Sequence, residues 1–428
     1  AGIALPNRSL SPHFSALLEH RKRLGFTTPG WTPSARIRIM DLWRRLRPAR
    51  TTGDGAMITR LYVDNYKCLV NFEYKPARLQ LLFGENGTGK STVFEVLERL
   101  RDFLCWGISA EQAFPAGALT AWQSRPEQRF ELEIEGNGGR YCYVLLVEHI
   151  PPQNRIRVKQ EELRFERNTL YYFDGEDGHL FADDGTPGPV FPQHPSKSGV
   201  ASIPEREHNQ RLTWFRGRVG MIYVLAIDPF RMQDVSFVEN RAPDRSLGNF
   251  ASWYRHLAQD SPETMRPLFD SLERVIDEFV QLKLTSEGET ARVLRVVMKR
   301  DDGQENELKE YNLVFNQLSH GHRCLVALFT ILHCAVRPDM TICIDEPDNF
   351  IALRELQPWL TELCDRVEEK SSQCLLISHH PELIDLLAVR HGVRFIRPGS
   401  GPVRIKPFEW SETGAIRPSE LVARGWDD

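Results

Sequence analysis

A run of glycines and polar residues, Gly84-Glu85-Asn86-Gly87-Thr88-Gly89-Lys90-Ser91, has the residue types and spacing of a phosphate-binding loop. Its glycines let backbone N–H groups turn toward phosphate oxygens with no side chain in the way. Lys90 can reach the terminal phosphates of a nucleotide, and the Ser91 hydroxyl can ligate Mg²⁺. Because every fixed position of the pattern is filled, we expect a nucleoside triphosphate to bind here.

Two adjacent acids supply the second half of a hydrolytic site. Asp345 and Glu346 follow the apolar run 341–344, which predicts a buried strand. Hydrolysis of a triphosphate needs one carboxylate for Mg²⁺ and another group for the attacking water. Ligands bind beyond the carboxyl ends of strands in open α/β sheets. Since adjacent residues on a strand point to opposite sides, we expect Asp345 to face Mg²⁺ and Glu346 to face the γ-phosphate.

Two further motifs accompany the acidic pair. Ser319 and Gly321 open an apolar helix, with Ser319 as a predicted N-cap and Gly321 leaving the helix mouth open for an anion. His379 follows the apolar run 374–377, where it can hydrogen-bond the γ-phosphate or the water. Alone, the Ser319 motif is also typical of an ordinary capped helix, and the His379 motif is also typical of a pair of surface histidines. Their order after the glycine-rich loop makes the set specific for a nucleotide site.

The elements around these motifs indicate an α/β fold. The run 79–83 predicts a buried strand before the loop, and apolar residues at helical spacing predict a helix after it. Alternating strands and helices over 319–407 indicate a mostly parallel core sheet. Four strands over 129–173, with a hairpin turn at Asn137-Gly138-Gly139, indicate an antiparallel meander. Further strands are predicted at 58–63, 69–74, 221–227, 291–300 and 309–315.

The body of the chain, 57–428, is expected to form one head in three parts. These are a lobe with the phosphate loop and meander (57–183), a loop and short helical lid insertion (184–310), and a lobe with the remaining motifs (311–428). Within the insertion, Pro, Gly and charged residues predict a long loop over 184–218, and an apolar stripe predicts helices over 246–284.

Residues 1–56 read as a basic, poorly ordered extension. They carry ten Lys and Arg against three Asp and Glu, a balance of +7, and show little periodicity. The segment fits a basic arm that touches nucleic acid or a partner, and it also fits an organelle transit peptide. It can also lie outside the functional protein, because Met57 could serve as a start. We expect no catalytic role for it in any of these cases.

Composition limits the function classes. The chain has 428 residues, of which 41% are hydrophobic and 26% charged, typical of a globular protein. No apolar run approaches the roughly 20 residues that span a bilayer, and no secretory signal is evident, so we expect a cytoplasmic protein without a membrane partner. Eight scattered cysteines predict reduced thiols. The body carries 44 basic against 55 acidic residues, which argues against a broad nucleic-acid surface but leaves a local basic groove open.

Taken in order, these motifs resemble those of an ABC-type ATPase head, within the AAA-family group of OLD, RecF and SMC-like proteins. The run N-Y-K-C-L at 65–69 resembles the N-F-K-S-L opening of that group. Residues 244–253, D-R-S-L-G-N-F-A-S-W, resemble its S-x-N-L-A element, and D-E-P-D-N at 345–349 is close to D-E-P-E-N. The resemblance covers about 57–408, and the group includes ATPase subunits of bacterial anti-phage systems such as Septu.

The resemblance implies ATP and Mg²⁺ as cofactors and a homodimer that sandwiches ATP. It implies these roles: Walker A at Gly84 to Ser91, with Thr92 at the α-phosphate; the Mg²⁺-linked acid at Asp345 and the catalytic base at Glu346; a signature at Ser319 and Gly321 that completes the partner's site; a switch histidine at His379; and Gln123 as the leading Q-loop glutamine. The sequence departs from the family pattern at His320 and His322 in the signature and at 350–352 after the acidic pair, which leaves the D-loop contact open.

The function expected from this resemblance is an ATP-hydrolysing dimeric head that drives or gates a separate effector, a nuclease or toxin, in a bacterial anti-phage defence or DNA-maintenance complex. The alternatives are a RecF-like repair ATPase that clamps DNA directly and, less favoured by the signature and the meander, a transporter subunit. A nucleotide-sensing assembly switch with negligible turnover is a further alternative from a different class.

Overall fold

The computed structural model describes residues 55–150, 155–301, 308–399, 401–410 and 416–425. The strands in these ranges are β1 (Met57–Asp64), β2 (Phe72–Tyr74), β3 (Leu79–Gly84), β4 (Glu127–Gly136), β5 (Gly139–Ile150), β6 (Arg155–Phe165), β7 (Asn168–Phe173), β8 (Asp177–Phe181), β9 (Pro187–Pro192), β10 (Ile222–Leu225), β11 (Val235–Ser236), β12 (Phe279–Glu287), β13 (Ala291–Asp301), β14 (Leu308–Val314), β15 (Thr341–Asp345), β16 (Gln373–Ile377), β17 (Gly392–Ile396) and β18 (Arg404–Pro407).

The helices are α1 (Lys90–Cys105), α2 (Ala110–Ala113), α3 (Gly199–Ser202), α4 (Gln210–Gly220), α5 (Phe250–Asp260), α6 (Met265–Glu273), α7 (His320–Thr330), α8 (Leu353–Lys370), α9 (Pro381–Leu383), α10 (Val389–His391) and α11 (Pro418–Ala423). Helix α7 continues as a π-helix at Ile331–Ala335, and α9 and α10 are joined by a second at Ile384–Ala388. Short 3₁₀ turns occur at Ala116–Ala118, Pro262–Thr264 and Phe315–Gln317.

The central sheet has the strand order β10-β15-β16-β3-β17-β18. Each neighbouring pair is parallel except β17 and β18, so the predicted mostly parallel core is confirmed. Strands β15 and β16 are short apolar runs buried almost throughout, as expected where helices cover both faces of a parallel sheet. The phosphate loop, the acidic pair and His379 therefore all follow carboxyl ends at one edge of this sheet.

The second sheet is antiparallel, in the order β2-β1-β4-β5-β6-β7-β8-β9. It confirms the predicted meander, including the hairpin between β4 and β5. Asn137 and Gly138 form that turn with φ values of 49° and 80°, the left-handed pair that a two-residue hairpin loop requires. Phe130, Leu132 and Ile134 alternate into the core with polar residues between them, so one face of the sheet is buried and the other is charged.

The prediction of a long loop over 184–218 is wrong. The structure places β9, α3 and most of α4 in this range. Strand β9 has prolines at both ends and is tolerated because it lies at the edge of the meander, where a missing N–H costs no ladder bond. Helix α4 buries Leu212, Phe215 and Val219 on one apolar face. The sequence did not predict this helix, because Gly217, Gly220 and several arginines interrupt the apolar spacing.

The prediction of helices over 246–284 is wrong at its end. Helices α5 and α6 stop at Glu273, and β12 begins at Phe279 and pairs with β13 in a third, antiparallel sheet of β11, β12, β13 and β14. Ile276 and Phe279 continue the helical spacing by coincidence, although Phe279 opens the strand. The range 184–310 therefore contains β11, β12 and β13 of the small sheet as well as helices α5 and α6, and it also supplies β10 to the central sheet.

The predicted extension at 1–56 lies outside the described residues up to residue 54. Ala56 is buried, and its N–H donates to Asp339 Oδ1 at 2.6 Å. Two residues further along, in β1, Ile58 O accepts from the side-chain amide of Gln373 at 2.9 Å, and Ile58 N donates to the Gln373 side-chain oxygen at 3.0 Å. Across the described part of the chain, the helices are all too short or too polar to cross a membrane.

Candidate nucleotide site

The glycine-rich loop joins β3 to α1 at the carboxyl edge of the central sheet. A Cβ at Gly84 would lie 2.2 Å from the Phe395 carbonyl oxygen on the neighbouring strand β17, so a side chain cannot fit there. Gly89 has a φ of 88°, and a Cβ there would meet Cys68 Sγ at 2.8 Å. Both positions need glycine for steric reasons, and together they keep the loop backbone open toward a ligand.

Lys90 is a buried cation at the base of the loop, with 5% of its surface exposed. Its Nζ donates to Gly84 O at 2.8 Å and to Glu85 O at 2.9 Å, and Thr88 Oγ1 also donates to Glu85 O. Burial lowers the pKa of Lys90 to about 8, although the nearby carboxylates of the acidic pair oppose this shift. An ammonium group held only by neutral acceptors is suited to receive phosphate oxygens.

Asp345 ends β15, and its carboxyl group lies next to the Ser91 hydroxyl. Burial raises the pKa of Asp345, and the nearby Ser91 hydroxyl opposes the rise. A carboxylate beside a hydroxyl is the oxygen donor set that Mg²⁺ takes when nucleotide phosphates and waters complete its shell. Among the residues described, no cluster of three or more His, Cys, Asp or Glu side chains could hold a metal by itself.

Glu346 lies beyond the end of the strand, so its direction does not come from the alternation of side chains along a strand that the sequence predicted. The strand ends at Asp345, and Glu346 turns away with a φ of 50° in the left-handed region. Its N–H donates to Ile377 O at 2.8 Å, and its Oε2 accepts from Asn349 Nδ2 at 2.8 Å. These bonds hold a conformation that costs about 1–3 kcal/mol for a residue other than glycine, a kind of strain found at functional sites.

His379 and His380 follow β16 and have different surroundings. Burial and the positive charge of Lys90 lower the pKa of His379, so the ring is neutral at pH 7 and can both donate and accept. His380 Nδ1 instead accepts from Glu382 N at 3.2 Å and caps α9. Ser378 Oγ donates to Asp348 Oδ1 at 2.6 Å and ties the two loops together. His379 is therefore the histidine available to a ligand.

Lys90, Ser91, Glu346 and His379 line one cleft of about 200 Å³, and Asp345 is not among the residues that line it. Its lining residues are Cys68, Asn86, Gly87, Gly89, Lys90, Ser91, Thr92, Glu346, Ile377 and His379. Cys68 and Ile377 were not among the residues predicted from the sequence. The position of Cys68 within the N-Y-K-C-L run is the signal that could have found it, since that run lies against the loop in space.

Ser319 and Gly321 do not line this cleft. Ser319 is the N-cap of α7, as predicted, and its Oγ accepts from His322 N at 3.1 Å. A Cβ at Gly321 would lie 2.7 Å from Phe350 O, so close packing against the loop after β15 also requires glycine here. Beside them, the His320 ring lies 4.2 Å from that of Phe230, which is 67% exposed.

The predicted Q-loop glutamine also lies outside the cleft. Gln123 Oε1 accepts from Arg125 NH2 at 3.0 Å. The two other glutamines of the same connection have structural roles: Gln112 belongs to the capping box of α2, and buried Gln128 donates to Asn65 O at 3.0 Å. In the structure, none of the three contacts the phosphate loop through the hydrogen bonds described.

The parallel core, its phosphate loop and the adjoining antiparallel sheet define a P-loop NTPase with the fold of an ABC-type ATPase head. The chain belongs to the family described as "AAA domain, putative AbiEii toxin, Type IV TA system", whose model matches residues 81–385. A search of the curated proteins finds no match.

Three solved SMC heads are similar to the chain, and each match covers 82% of it. An Smc head bound to the C-winged helix domain of ScpA has 12% identity and a TM-score of 0.50, with 98% of that chain covered. An SMC head domain from Thermotoga maritima has 13% identity, 99% coverage and a TM-score of 0.43. An Smc head with an extended coiled coil bound to the C-terminal domain of ScpA derived from Pyrococcus furiosus has 11% identity, 96% of that chain covered and a TM-score of 0.48. The first of these supports the fold.

Proposed function

We propose that this chain is an ATP-hydrolysing head. The observation that carries the proposal is the convergence of Lys90, Ser91, Glu346 and His379 on one cleft at the carboxyl edge of the parallel sheet, with Asp345 next to Ser91. Few arrangements other than triphosphate hydrolysis use a buried cation, a metal-type donor pair and a second carboxylate together. The family description and the SMC-like fold support the same reading.

In this proposal each side chain has one task. Lys90 exchanges its two carbonyl partners for phosphate oxygens, which are stronger acceptors because they are charged. Ser91 and Asp345 would hold Mg²⁺, which when bound neutralises charge on the β- and γ-phosphates. Glu346 orients and deprotonates the attacking water, and neutral His379 hydrogen-bonds the γ-phosphate side. The amides of the glycine-rich loop, together with the N-terminus of α1, hold the remaining phosphate oxygens.

The head is proposed to work as a homodimer with ATP between the subunits. Ser319 and Gly321 lie outside the cleft of their own chain, which leaves them free for the proposed role of completing the site of a partner copy. The exposed rings of Phe230 and Phe350 beside them support an interface there, because exposed aromatic side chains in a group commonly mark contact surfaces. Two copies related by a two-fold axis would form two such sites.

A separate effector is the proposed recipient of the ATP-driven change. One of the similar SMC heads was solved with a bound domain of ScpA, which supports a partner protein on a head of this fold. We propose that a nuclease or toxin takes that place here, in a defence or DNA-maintenance complex of the cytoplasm. The head itself supplies the ATP-dependent closure.

Phosphate release distinguishes this function from its alternatives. We expect the wild-type protein to release phosphate over many turnovers, at a rate that rises with protein concentration because the dimer is the active form. Turnover that requires DNA would favour the RecF-like clamp. A single turnover followed by no further release, with ATP still bound, would favour the nucleotide-sensing switch and contradict the proposal.

Mixed subunits test whether the sites act between two copies. Ser319→Arg should leave ATP binding by the monomer intact and block closure, because the long side chain fills the γ-phosphate position of the partner's site. Lys90→Ala should abolish tight ATP binding. A mixed dimer carries one site with both defects and one with neither, so activity should return on mixing. If heterodimers form and remain inactive, either the sites are not completed by the partner copy or both sites must hydrolyse ATP together. Full activity of the Ser319→Arg homodimer would contradict the assignment of Ser319 to the signature.

A further inference from the structure

The lining of the nucleotide cleft suits phosphates better than a base. It consists of the phosphate loop, the start of α1, Cys68, Ile377 and the two groups proposed to act at the γ-phosphate, Glu346 and His379. Among the described residues that line the cleft, none is a Phe, Tyr or Trp, the side chains on which bases stack. The base of a bound nucleoside triphosphate is therefore expected to be held by groups just outside the cleft.

The order of strands gives the direction in which the base would leave. Strand β3, which leads into the phosphate loop, lies between β16 and β17. Glu346 and His379 follow β15 and β16, so both groups proposed for the γ-phosphate come from the same side of β3. The side next to β17 is the opposite one. A triphosphate with its γ-phosphate toward Glu346 and His379 directs its base toward β17.

One segment on the β17 side packs directly against the phosphate loop. Strand β17 pairs in parallel with β3 up to Gly84, the first residue of the loop, and a turn that begins at Arg397 follows it. Near the end of this turn, Val403 N donates to Cys68 O at 3.3 Å. A Cβ at Gly89 would lie 3.1 Å from Val403 Cγ2, so the turn touches the far end of the loop as well.

A second segment, the connection between α2 and β4, is fastened to the same side. Thr120 N donates to Asn65 Oδ1 at 3.3 Å, which ties this connection to the N-Y-K-C-L run. Cys68 of that run lines the cleft, and its Sγ lies 3.9 Å from Thr92 Oγ1 at the start of α1. Trp122 follows Thr120 by two residues, and its side chain is 46% exposed. The connection therefore carries an exposed aromatic ring on the side of the cleft that Cys68 and Thr92 form.

The two segments meet at a contact between Trp122 and Arg397. The guanidinium carbon of Arg397 lies over the indole ring, 5.1 Å from its centroid, which is a cation–π distance. Arg397 Nε also donates to Gly401 O at 2.9 Å, so the guanidinium group is held by its own turn. A ring that is fixed by a cation and still nearly half exposed has the properties of a stacking surface.

We propose that Trp122 stacks on the base of the bound nucleotide and that Arg397 is a positioning residue that holds the indole ring for it. The inference rests on the proposed function, because it needs a nucleoside triphosphate in the cleft. The guanidinium group lies against one face of the indole, and the base takes the other. The ligand class of this subsite is a nucleobase attached to the phosphate chain and held by its ring face.

The experiment compares a non-hydrolysable ATP analogue with tripolyphosphate, each with Mg²⁺, by isothermal titration calorimetry. Both ligands carry the phosphate chain, but only the analogue carries a base. We expect Trp122→Ala to weaken binding of the analogue roughly 5- to 100-fold, the range that stacking on one aromatic side chain provides, and to leave the affinity for tripolyphosphate unchanged. Trp122→Phe keeps a ring and should bind the analogue within about threefold of the wild type.

Arg397→Gln tests the positioning role separately. We expect it to weaken binding of the analogue by roughly 2- to 5-fold, the size of an exposed cation–π contact, with no change for tripolyphosphate. Equal losses for the two ligands would mean that Arg397 contacts phosphate, and no loss for either would mean that the ring does not need it. Both of these results would overturn the role given to Arg397.

Two matched variants control for general effects of ring and charge removal. Trp106 is 64% exposed at the C-terminal end of α1, the opposite end from the phosphate loop. Arg125 belongs to the same connection as Trp122 but pairs with Asp64 at 3.0 Å. Trp106→Ala and Arg125→Gln should each bind both ligands within about twofold of the wild type.

The two ligands separate the failure of this inference from the failure of the proposed function. Equal losses of the analogue and of tripolyphosphate in Trp122→Ala, as expected if Trp122 only supports the fold, would overturn the stacking role. An unchanged affinity for the analogue in Trp122→Ala would overturn it as well. If the wild type binds neither the analogue nor tripolyphosphate, the proposed function itself is rejected.

Discussion

Replacing Lys90 by methionine should stabilise the protein without nucleotide while removing its response to ATP. The pKa of Lys90 is lowered from 10.5 to about 8 in the folded protein, which corresponds to a cost of about 3 kcal/mol in the free energy of unfolding at pH 7. Methionine removes that cost but also loses the two hydrogen bonds to Gly84 O and Glu85 O, each contributing about 1 kcal/mol. We therefore expect a net gain of about 1–2 kcal/mol and a rise of about 1–3 °C in Tm.

The pH dependence gives this prediction a definite sign. A lysine with a lowered pKa binds its proton less readily when folded, so its cost is fully present below pH 8 and disappears as the pH rises toward 10.5. The advantage of the methionine variant should shrink over that range. Lys75→Met, at a largely exposed side chain, serves as the control and should change stability by less than about 0.5 kcal/mol.

Thermal unfolding with and without ATP completes the assay. At a ligand concentration of about 100 Kd, binding should stabilise the wild type by about 2.7 kcal/mol and leave Lys90→Met unchanged. The stability order of the two proteins should then reverse on addition of ATP. The reasoning is refuted if ATP stabilises both proteins equally, or if Lys90→Met is clearly the less stable protein at pH 7 without nucleotide.

Three further predictions concern residues around the cleft and the start of the chain. ATP should protect Cys68 from iodoacetamide labelling measured by mass spectrometry, because Cys68 lines the cleft. The other seven cysteines should react little, since burial raises the pKa of their thiols. Equal labelling of Cys68 with and without ATP would mean that the nucleotide binds elsewhere. Gln123→Ala should leave the hydrolysis rate within about twofold of the wild type, since its side chain does not line the cleft; a loss of tenfold or more would restore it as the Q-loop residue. Removal of residues 1–54 should preserve ATPase activity. Removal that extends past Ala56 should destabilise the protein, because Ala56 is buried and its N–H is hydrogen-bonded to Asp339. If the DNA affinity of the shortened protein and its salt dependence are unchanged, the removed segment makes no phosphate contacts.

The sequence predicted most successfully those features that depend on local pattern. The apolar runs that became β3, β15 and β16 had the length and continuity of buried parallel strands, and Asn137-Gly138 had the chemistry of a tight hairpin. Helix α4 and strand β9 were missed because glycine, proline and arginine obscure a burial pattern that only the neighbouring meander reveals. Local preference there is overridden by tertiary packing.

The residues of the candidate site differ in the same way: some follow from local sequence pattern, and others depend on tertiary packing. Lys90 and its loop follow from spacing alone, whereas Glu346 depends on a left-handed turn that no alternation rule anticipates. Cys68 lines the cleft because its segment packs against Gly89 across more than twenty residues of sequence, a relation that is visible only in the folded chain.

The central claim is that ATP bound beside Lys90 is hydrolysed with the help of Glu346, and the variant Glu346→Gln tests it most directly. Equilibrium ATP binding and phosphate release should be measured on the same preparations of wild type and variant. We predict that the variant binds Mg²⁺ and ATP normally, releases phosphate roughly 10²- to 10⁴-fold more slowly, and accumulates as an ATP-bound dimer detectable by light scattering. Phosphate release at the wild-type rate would contradict the claim.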